Sequence, residues 1–250
     1  MVWSTLDEAR VEAAACLKCR LAKDRTQVVW LDGNPRSDLM FIGEAPGFHE
    51  DRLGKPFVGA AGKLLDSMLA SIGLDRTKCV ICNVIKCRPP GNRDPQPDEI
   101  EMCSPYLKAQ IEFIKPRVIV TLGNFATRYI LQRQVSISRV RGAVFPAFGA
   151  KVIPTFHPAS ALHSGGEGSP AWAAIRSDFQ LIAKLLAAPR PDEARPAAPP
   201  SRPKPFDRRP QPVDRGPLPA ASQPGPAERP TEPAAAPAPP EQLVEQGSLF

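Results

Sequence analysis

Six cysteines and three histidines carry much of the chemistry open to this 250-residue chain. Cys16 and Cys19 form a Cys-x-x-Cys pair in a loop or helix start, where that spacing closes on one metal site. Cys79 and Cys82 repeat the spacing inside a strand-like run. Side chains alternate along a strand, so two thiols three residues apart point to opposite sides and do not chelate together. Cys87 and Cys103 stand singly further on. Four thiolates hold either a zinc ion or an iron–sulfur cluster, and the residues themselves do not separate the two. Buried reduced thiols are the competing reading. The histidines are His49, His157 and His163.

The remaining polar candidates sit where strands end. Apolar or β-branched runs over residues 38–43, 79–85, 118–122 and 151–156 read as strands. Pro154, inside the last of them, marks an edge or a bulge. Leu64, Leu65, Met68, Leu69 and Ile72 recur at helical spacing over residues 60–72, and Gly73 closes that helix. Further helices are expected over 98–114, with Pro97 at the start and Asp98 and Glu99 in the first turn, and over 124–131 and 171–187. This alternation predicts an α/β protein, a three-layer α/β/α sandwich around a mostly parallel four-stranded sheet. Ligands in such folds gather at the carboxyl ends of the strands. Residues 43–47, 123–124 and 157–159 follow strands and Asn83 lies at or near a strand end, so these segments are expected to converge on one cleft.

Composition sets the limits. Of the 31 prolines, 18 lie between Pro189 and Pro240. The folded domain is therefore expected over residues 1–188, followed by a disordered Pro/Ala/Arg-rich linker over 189–240. A terminal peptide at 241–250 ends in two bulky apolar residues, Leu249 and Phe250. The net charge is +6; residues 189–250 carry eight basic and eight acidic groups, so the excess sits on the first 188. A moderately basic domain suits a polyanion, although an ordinary basic surface gives the same count. The start has no basic and apolar leader, and no apolar run approaches the ~20 residues of a membrane span. A cytoplasmic protein with reduced thiols and no membrane partner is expected.

Several ordered motifs together resemble the family 4 uracil-DNA glycosylases, the iron–sulfur members of that superfamily. They are Gly43-Glu44-Ala45-Pro46-Gly47, Gly54-Lys55-Pro56-Phe57-Val58-Gly59, Asn83-Val84-Ile85-Lys86-Cys87-Arg88-Pro89-Pro90-Gly91-Asn92-Arg93 and His157-Pro158-Ala159. The resemblance runs from about Leu6 to Leu186. It implies a 4Fe-4S cluster on Cys16, Cys19, Cys87 and Cys103, structural in role, and leaves Cys79 and Cys82 outside the ligand set. It further implies a monomer working at the nucleoid on uracil-containing DNA, single- or double-stranded.

The resemblance also assigns roles. Uracil must leave the stack to be reached. Phe57 supplies an aromatic face for the extruded base. Asn83 offers a donor and an acceptor together, which match uracil O4 and N3–H and mismatch cytosine. His157 resembles the catalytic histidine and steadies the negative charge on uracil O2, helped by a free backbone N–H near Glu44 or Ala45; Gly43 and Ala45 are further candidate substrate-binding residues. Glu44 is the candidate for positioning water, because Ala45 stands where some branches carry an aspartate. Glu50 resembles the residue that excludes the methyl group of thymine; a solvated acidic loop with Asp51 is the plain alternative. Leu162 is the candidate wedge into DNA, with His163 after it where relatives usually carry an arginine. Arg88 and Arg93 are candidate phosphate contacts, against a solvated basic loop. No inserted basic loop stands between Asn83 and Cys87, so turnover rather than a trapped adduct is expected. The terminal residues Gln246 to Phe250 resemble the bacterial sliding-clamp-binding peptide. Two other functions fit the residues less well: a non-catalytic iron–sulfur DNA-binding module for damage sensing, and a glycosylase for another deaminated base such as hypoxanthine.

Overall fold

The computed structural model describes residues 2–189. The expected linker lies outside these residues apart from Pro189, and the terminal peptide lies outside them entirely. The elements run α1 (Leu6–Ala14), β1 (Asp32–Gly33), β2 (Leu39–Gly43), α2 (Phe48–Leu53), α3 (Ala60–Ser71), β3 (Val80–Asn83), α4 (Pro97–Ile114), β4 (Val118–Leu122), α5 (Gly123–Leu131), α6 (Ile137–Val140), β5 (Phe145–Ala147), β6 (Ala150–Thr155), α7 (Pro158–His163) and α8 (Pro170–Ala187).

They form one six-stranded sheet in the order β1-β3-β2-β4-β6-β5. The four inner strands β3, β2, β4 and β6 are parallel, and the short outer strands β1 and β5 are antiparallel. The sheet therefore has six strands rather than the expected four. The two additions span two and three residues, too short to show an alternating pattern. Pro154 sits in β6 opposite Thr121 of β4. On its other side β5 pairs only as far as Val152, so the missing N–H of Pro154 costs no ladder bond.

The strands alternate between two separate cores. Met40, Ile42, Val80, Cys82, Ile119 and Val152 face a cluster that takes in residues of α1, α4 and α5. Leu39, Phe41, Ile81, Val118, Val120 and Ile153 face the other cluster, built with α3 and α8. Both faces of the sheet are covered, which is the three-layer arrangement. Each large side chain removed from water contributes about 1.5–3 kcal/mol; Phe41 packs on Phe179 with ring centroids 5.6 Å apart. Cys79 belongs to one core and Cys82 to the other, as the strand geometry requires.

Helix α4 contains Pro105, which removes one helical N–H. The hydroxyl of Ser104 donates to the carbonyl of Glu101 instead, at 3.1 Å. Helix α1 is an addition to the sequence reading. Thr5 caps it by accepting from the Glu8 N–H at 3.1 Å, but it buries only Ala9 and Ala13, so its apolar stripe is faint. No helix among the described residues is long and apolar enough to cross a membrane.

Candidate active site

A cavity of about 490 Å³ opens at the carboxyl ends of the parallel strands. Its lining draws Glu44, Ala45, Pro46 and Gly47 from the turn after β2, Asn83 from the end of β3, and His157 and Ala159 from the turn after β6. Phe57 and Glu50 come from the segment between β2 and α3, Arg93 from the loop before α4, and His163 from the end of α7.

Asn83 is buried, with 2 % of its surface exposed. Its backbone is firmly held: the carbonyl accepts from the Lys86 ammonium at 2.6 Å, and that ammonium also donates to Gln110 Oε1 at 2.6 Å. Its side chain is not held in this way. Asn83 Oδ1 is a buried polar atom with no hydrogen-bond partner among the described residues. An unpartnered buried acceptor costs about 1–3 kcal/mol, so this amide is kept open towards the cavity at a cost to the fold.

Phe57 stands beside it in a left-handed backbone conformation, φ +54°, which a non-glycine residue adopts only when held. Arg76 does the holding. Its guanidinium donates to the Phe57 carbonyl and, at 3.1 Å, to that of Pro56. Asp32 and Asp66 brace the same guanidinium at 2.9 and 2.7 Å. A methyl group on Gly43 would lie 2.4 Å from Asn83 Oδ1 and 2.7 Å from the Phe57 ring, so only glycine fits between amide and ring. Phe57 also stacks on His157, with centroids 5.5 Å apart and planes 30° apart.

His157 caps α7: its Nδ1 accepts from the Ala159 N–H at 3.1 Å. With Nδ1 occupied as an acceptor, the network assigns the ring proton to Nε2. Burial pushes the pKa of the imidazole down to about 4; Glu50 opposes that shift and His163 adds to it. The ring is therefore neutral at pH 7. The end of β6 is fixed in turn by Thr155, which donates to Asp178 Oδ2 at 2.6 Å, while Arg141 pairs with Asp178 Oδ1 at 2.6 Å. Burial, with the charge of Asp94 second, pushes Glu44 up to about 7.

Other expected residues have work inside the protein. Glu50 Oε1 accepts from the Val58 and Gly59 N–H groups at 2.8 and 2.9 Å, which ties down the loop after Phe57. Asp51 is buried and accepts from the Thr26 N–H at 3.0 Å, so neither carboxylate forms a merely solvated loop. Arg93 lines the cavity, but its guanidinium is turned onto buried Glu99, at 2.8 and 2.5 Å, rather than outward. Arg88 donates to Asn92 Oδ1 at 2.7 Å. Leu162 is exposed on α7.

Cys16, Cys19, Cys87 and Cys103 together line a second, small cavity with Arg25. Lys86 donates its backbone N–H to Cys103 Sγ at 3.2 Å, and Arg25 directs a guanidinium N–H at Cys87 Sγ, 3.6 Å away. Arg25 also donates to the Cys16 carbonyl at 2.6 Å. Burial pushes the Cys87 thiol up to about 11 and the Cys103 thiol up to about 12. Among the described residues no three His, Cys, Asp or Glu side chains are arranged to hold a metal ion. The thiols ring a space instead.

The family model for the uracil DNA glycosylase superfamily matches residues 31–180. The chain belongs to the uracil-DNA glycosylase superfamily. Its relatives include the type-4 uracil-DNA glycosylase of Sulfurisphaera tokodaii, 45% identical over 74% of this chain and 87% of that protein. The type-4 enzyme of Archaeoglobus fulgidus is 46% identical over 75% of this chain and 96% of its own length. That of Thermotoga maritima is 48% identical over 60% of this chain and 79% of its own. As a uracil-DNA glycosylase superfamily member, the chain brings Glu44, Ala45, Glu50, Phe57, Asn83 and His157 around one cavity, with Gly43 packed between Asn83 and Phe57. Sequence reasoning missed Arg76 and Lys86, which hold Phe57 and Asn83. Arg76 stands outside the quoted motifs, and Lys86 stands within one, but the partners of both side chains are visible only in the fold.

Proposed function

We infer that the protein excises uracil from DNA by hydrolysing the N-glycosidic bond, leaving an abasic site for base excision repair. The observation that carries this reading is the Asn83 amide, buried and unpaired on a cavity that also holds a neutral imidazole. An extruded uracil fits that pair of groups. The Asn83 amide donates to O4 and accepts from N3–H, and the Phe57 ring covers one face of the base. Cytosine offers the opposite pattern and is rejected.

Cleavage breaks the bond between C1′ and N1 and leaves its electron pair on the base. His157 Nε2–H donates to O2, where negative charge grows. A neutral imidazole donates without first losing a proton to the anion, and fixed donors of this kind are worth about 2.7–4 kcal/mol each. Water adds to C1′ on the opposite side. Glu44, in its carboxylate form, orients that water and takes its proton. Gly43 and Ala45 keep the wall close, and Glu50 holds the loop that excludes a methyl group at C5 of the base. Leu162 and Arg88 face the DNA.

Cys16, Cys19, Cys87 and Cys103 line one small cavity and are the residues that would hold the 4Fe-4S cluster the family resemblance implies. The N–H groups aimed at Cys87 and Cys103 are the donors that bound thiolates attract. When bound, the cluster supplies a covalent tie between the N-terminal segment, the loop after Asn83 and α4. Residues Gln246 to Phe250, outside the described residues, are proposed to dock on the bacterial sliding clamp through Leu249 and Phe250; the linker would raise the local concentration of enzyme on DNA.

The decisive experiment measures free base released from oligonucleotides that carry uracil, hypoxanthine or a thymine mismatch, in single and double strands. Uracil release from the first supports the reading. Release of hypoxanthine alone would make this a glycosylase of another specificity, and no release of any base would leave a DNA-binding iron–sulfur module. Loss of clamp binding on deleting Leu249 and Phe250 tests the terminal peptide.

A further inference from the structure

Helix α2 places an aromatic ring in solvent beside the cavity mouth. Phe48 keeps 46 % of its surface exposed. Its neighbours in sequence, Gly47 and Glu50, both line the cavity. Two guanidinium groups lie against the ring, Arg52 at 5.6 Å and Arg88 at 5.2 Å from its centroid. Arg88 is fixed by its bond to Asn92, another cavity residue. Neither arginine forms an ion pair with a described residue. The acidic residues of α2 do not neutralise them, because Glu50 and Asp51 are bound to the backbone of residues 58, 59 and 26. The outward side of α2 is thus an aromatic ring between unpaired cations.

A single strand of nucleic acid is bound by that combination: bases stack on an aromatic ring while cations meet the phosphates. This surface adjoins the cavity through Gly47, Glu50 and Asn92. We propose that Phe48 is the stacking platform for a base next to the extruded one, and that Arg52 and Arg88 grip the phosphates on either side of it. The proposal rests on the uracil-excision reading for its geometry. It adds a contact to the undamaged flanking nucleotide, so it is testable on DNA without uracil.

The test uses the full-length protein as purified and a fluorescent, uracil-free single-stranded oligonucleotide, with binding followed by anisotropy across a salt series. Phe48→Ala should weaken binding about tenfold and leave the slope of log Kd against log salt unchanged. Phe48→Trp should restore wild-type affinity. The double variant Arg52→Gln, Arg88→Gln should flatten the slope by about 1.4, since each phosphate contact on a single strand contributes about 0.7. A 2-aminopurine placed within the same uracil-free strand should be quenched by wild type and not by Phe48→Ala. Unchanged affinity and quenching in Phe48→Ala would overturn the proposal. So would a loss in Phe48→Ala that comes entirely through the salt slope, which would make the ring a mere prop for the arginines. Failure of the uracil-excision reading is distinguishable, because it appears as absent base release in wild type whatever the anisotropy shows.

Discussion

Replacing Asn83 with alanine should separate activity from stability. The side-chain amide has no partner among the described residues, so its removal breaks no native hydrogen bond. It also relieves the desolvation of Oδ1, about 1–3 kcal/mol. The space it vacates joins a cavity of about 490 Å³ that already exists, so the added void costs little of that gain. A net stabilisation of about 1 kcal/mol would raise the melting temperature by about 2–4 °C for a domain of this size. The chemistry responds in the other direction. Two hydrogen bonds to the base, at about 1–3 kcal/mol each, put the loss of single-turnover rate between about 30-fold and 10⁴-fold. The assay pairs uracil release from a labelled oligonucleotide under enzyme excess with thermal unfolding of the same preparation. A variant that melts 5 °C or more below wild type would show that the amide braces the fold. A variant within threefold of the wild-type rate would show that the amide does not read the base.

Glu44→Gln should change two pH profiles. The raised pKa favours the neutral carboxyl in the folded state, so that contribution is present below the ordinary 4.5 and lost as pH rises through about 7. The variant should therefore out-melt wild type at pH 8 and not at pH 4.5, and the wild-type rate should climb through pH 7 while the variant rate stays flat. His157 has the opposite sign: its depressed pKa stabilises the fold above 6.5, and the contribution is lost as pH falls towards about 4. His157→Ala should lose about 10²–10³ in rate and resist acid better over that window, read by melting temperature against pH. Arg76→Met should destabilise the protein by about 2 kcal/mol and lower the rate about tenfold. In a Phe57→Ala background it should cost no further activity, and additive losses would show that Arg76 does not act through Phe57. Cys103→Ser should yield soluble protein with markedly less iron and visible absorbance by metal analysis and spectroscopy; unchanged iron would remove Cys103 from the ligand set.

The inner sheet was legible because β2, β3 and β4 are buried throughout and read as largely apolar runs, and β6 does so apart from exposed Lys151. Residues 118–122, Val-Ile-Val-Thr-Leu, coincide with β4. The outer strands were not legible: Asp32–Gly33 is held by β3 far along the chain, and Phe145–Ala147, though it pairs with the adjacent β6, spans too few residues to show an alternating pattern. Helices α2 and α6 span six and four residues, too few for a stripe to recur. At the site, Asn83 and His157 could be found because one closes β3, the other follows shortly after β6, and both lie in the motifs that carry the family resemblance. The clamp on Phe57 could not, since Arg76 reaches residues 56, 57, 32 and 66 only once the chain is folded. Arg93 misled for a related reason: a basic loop next to a cysteine reads as solvent-facing until Glu99 is seen buried behind it.

The two strands that run between Asn83 and His157 both give way to glycine: Gly43 is the last residue of β2, and Gly123 follows β4. A methyl group at Gly43 would strike the amide, and one at Gly123, whose φ is +90°, would press within 3.2 Å of the His157 Cβ. The receptor is thus partly sculpted by omission: its floor is sheet backbone from which two side chains have been left off. Neither position accepts a further carbon without displacing its neighbour: at Gly43 the amide and the Phe57 ring would have to give way, and at Gly123 the left-handed backbone itself disfavours a side chain. The width of the receptor is therefore pinned at these two points, and a base of another size has to be accommodated elsewhere on its wall.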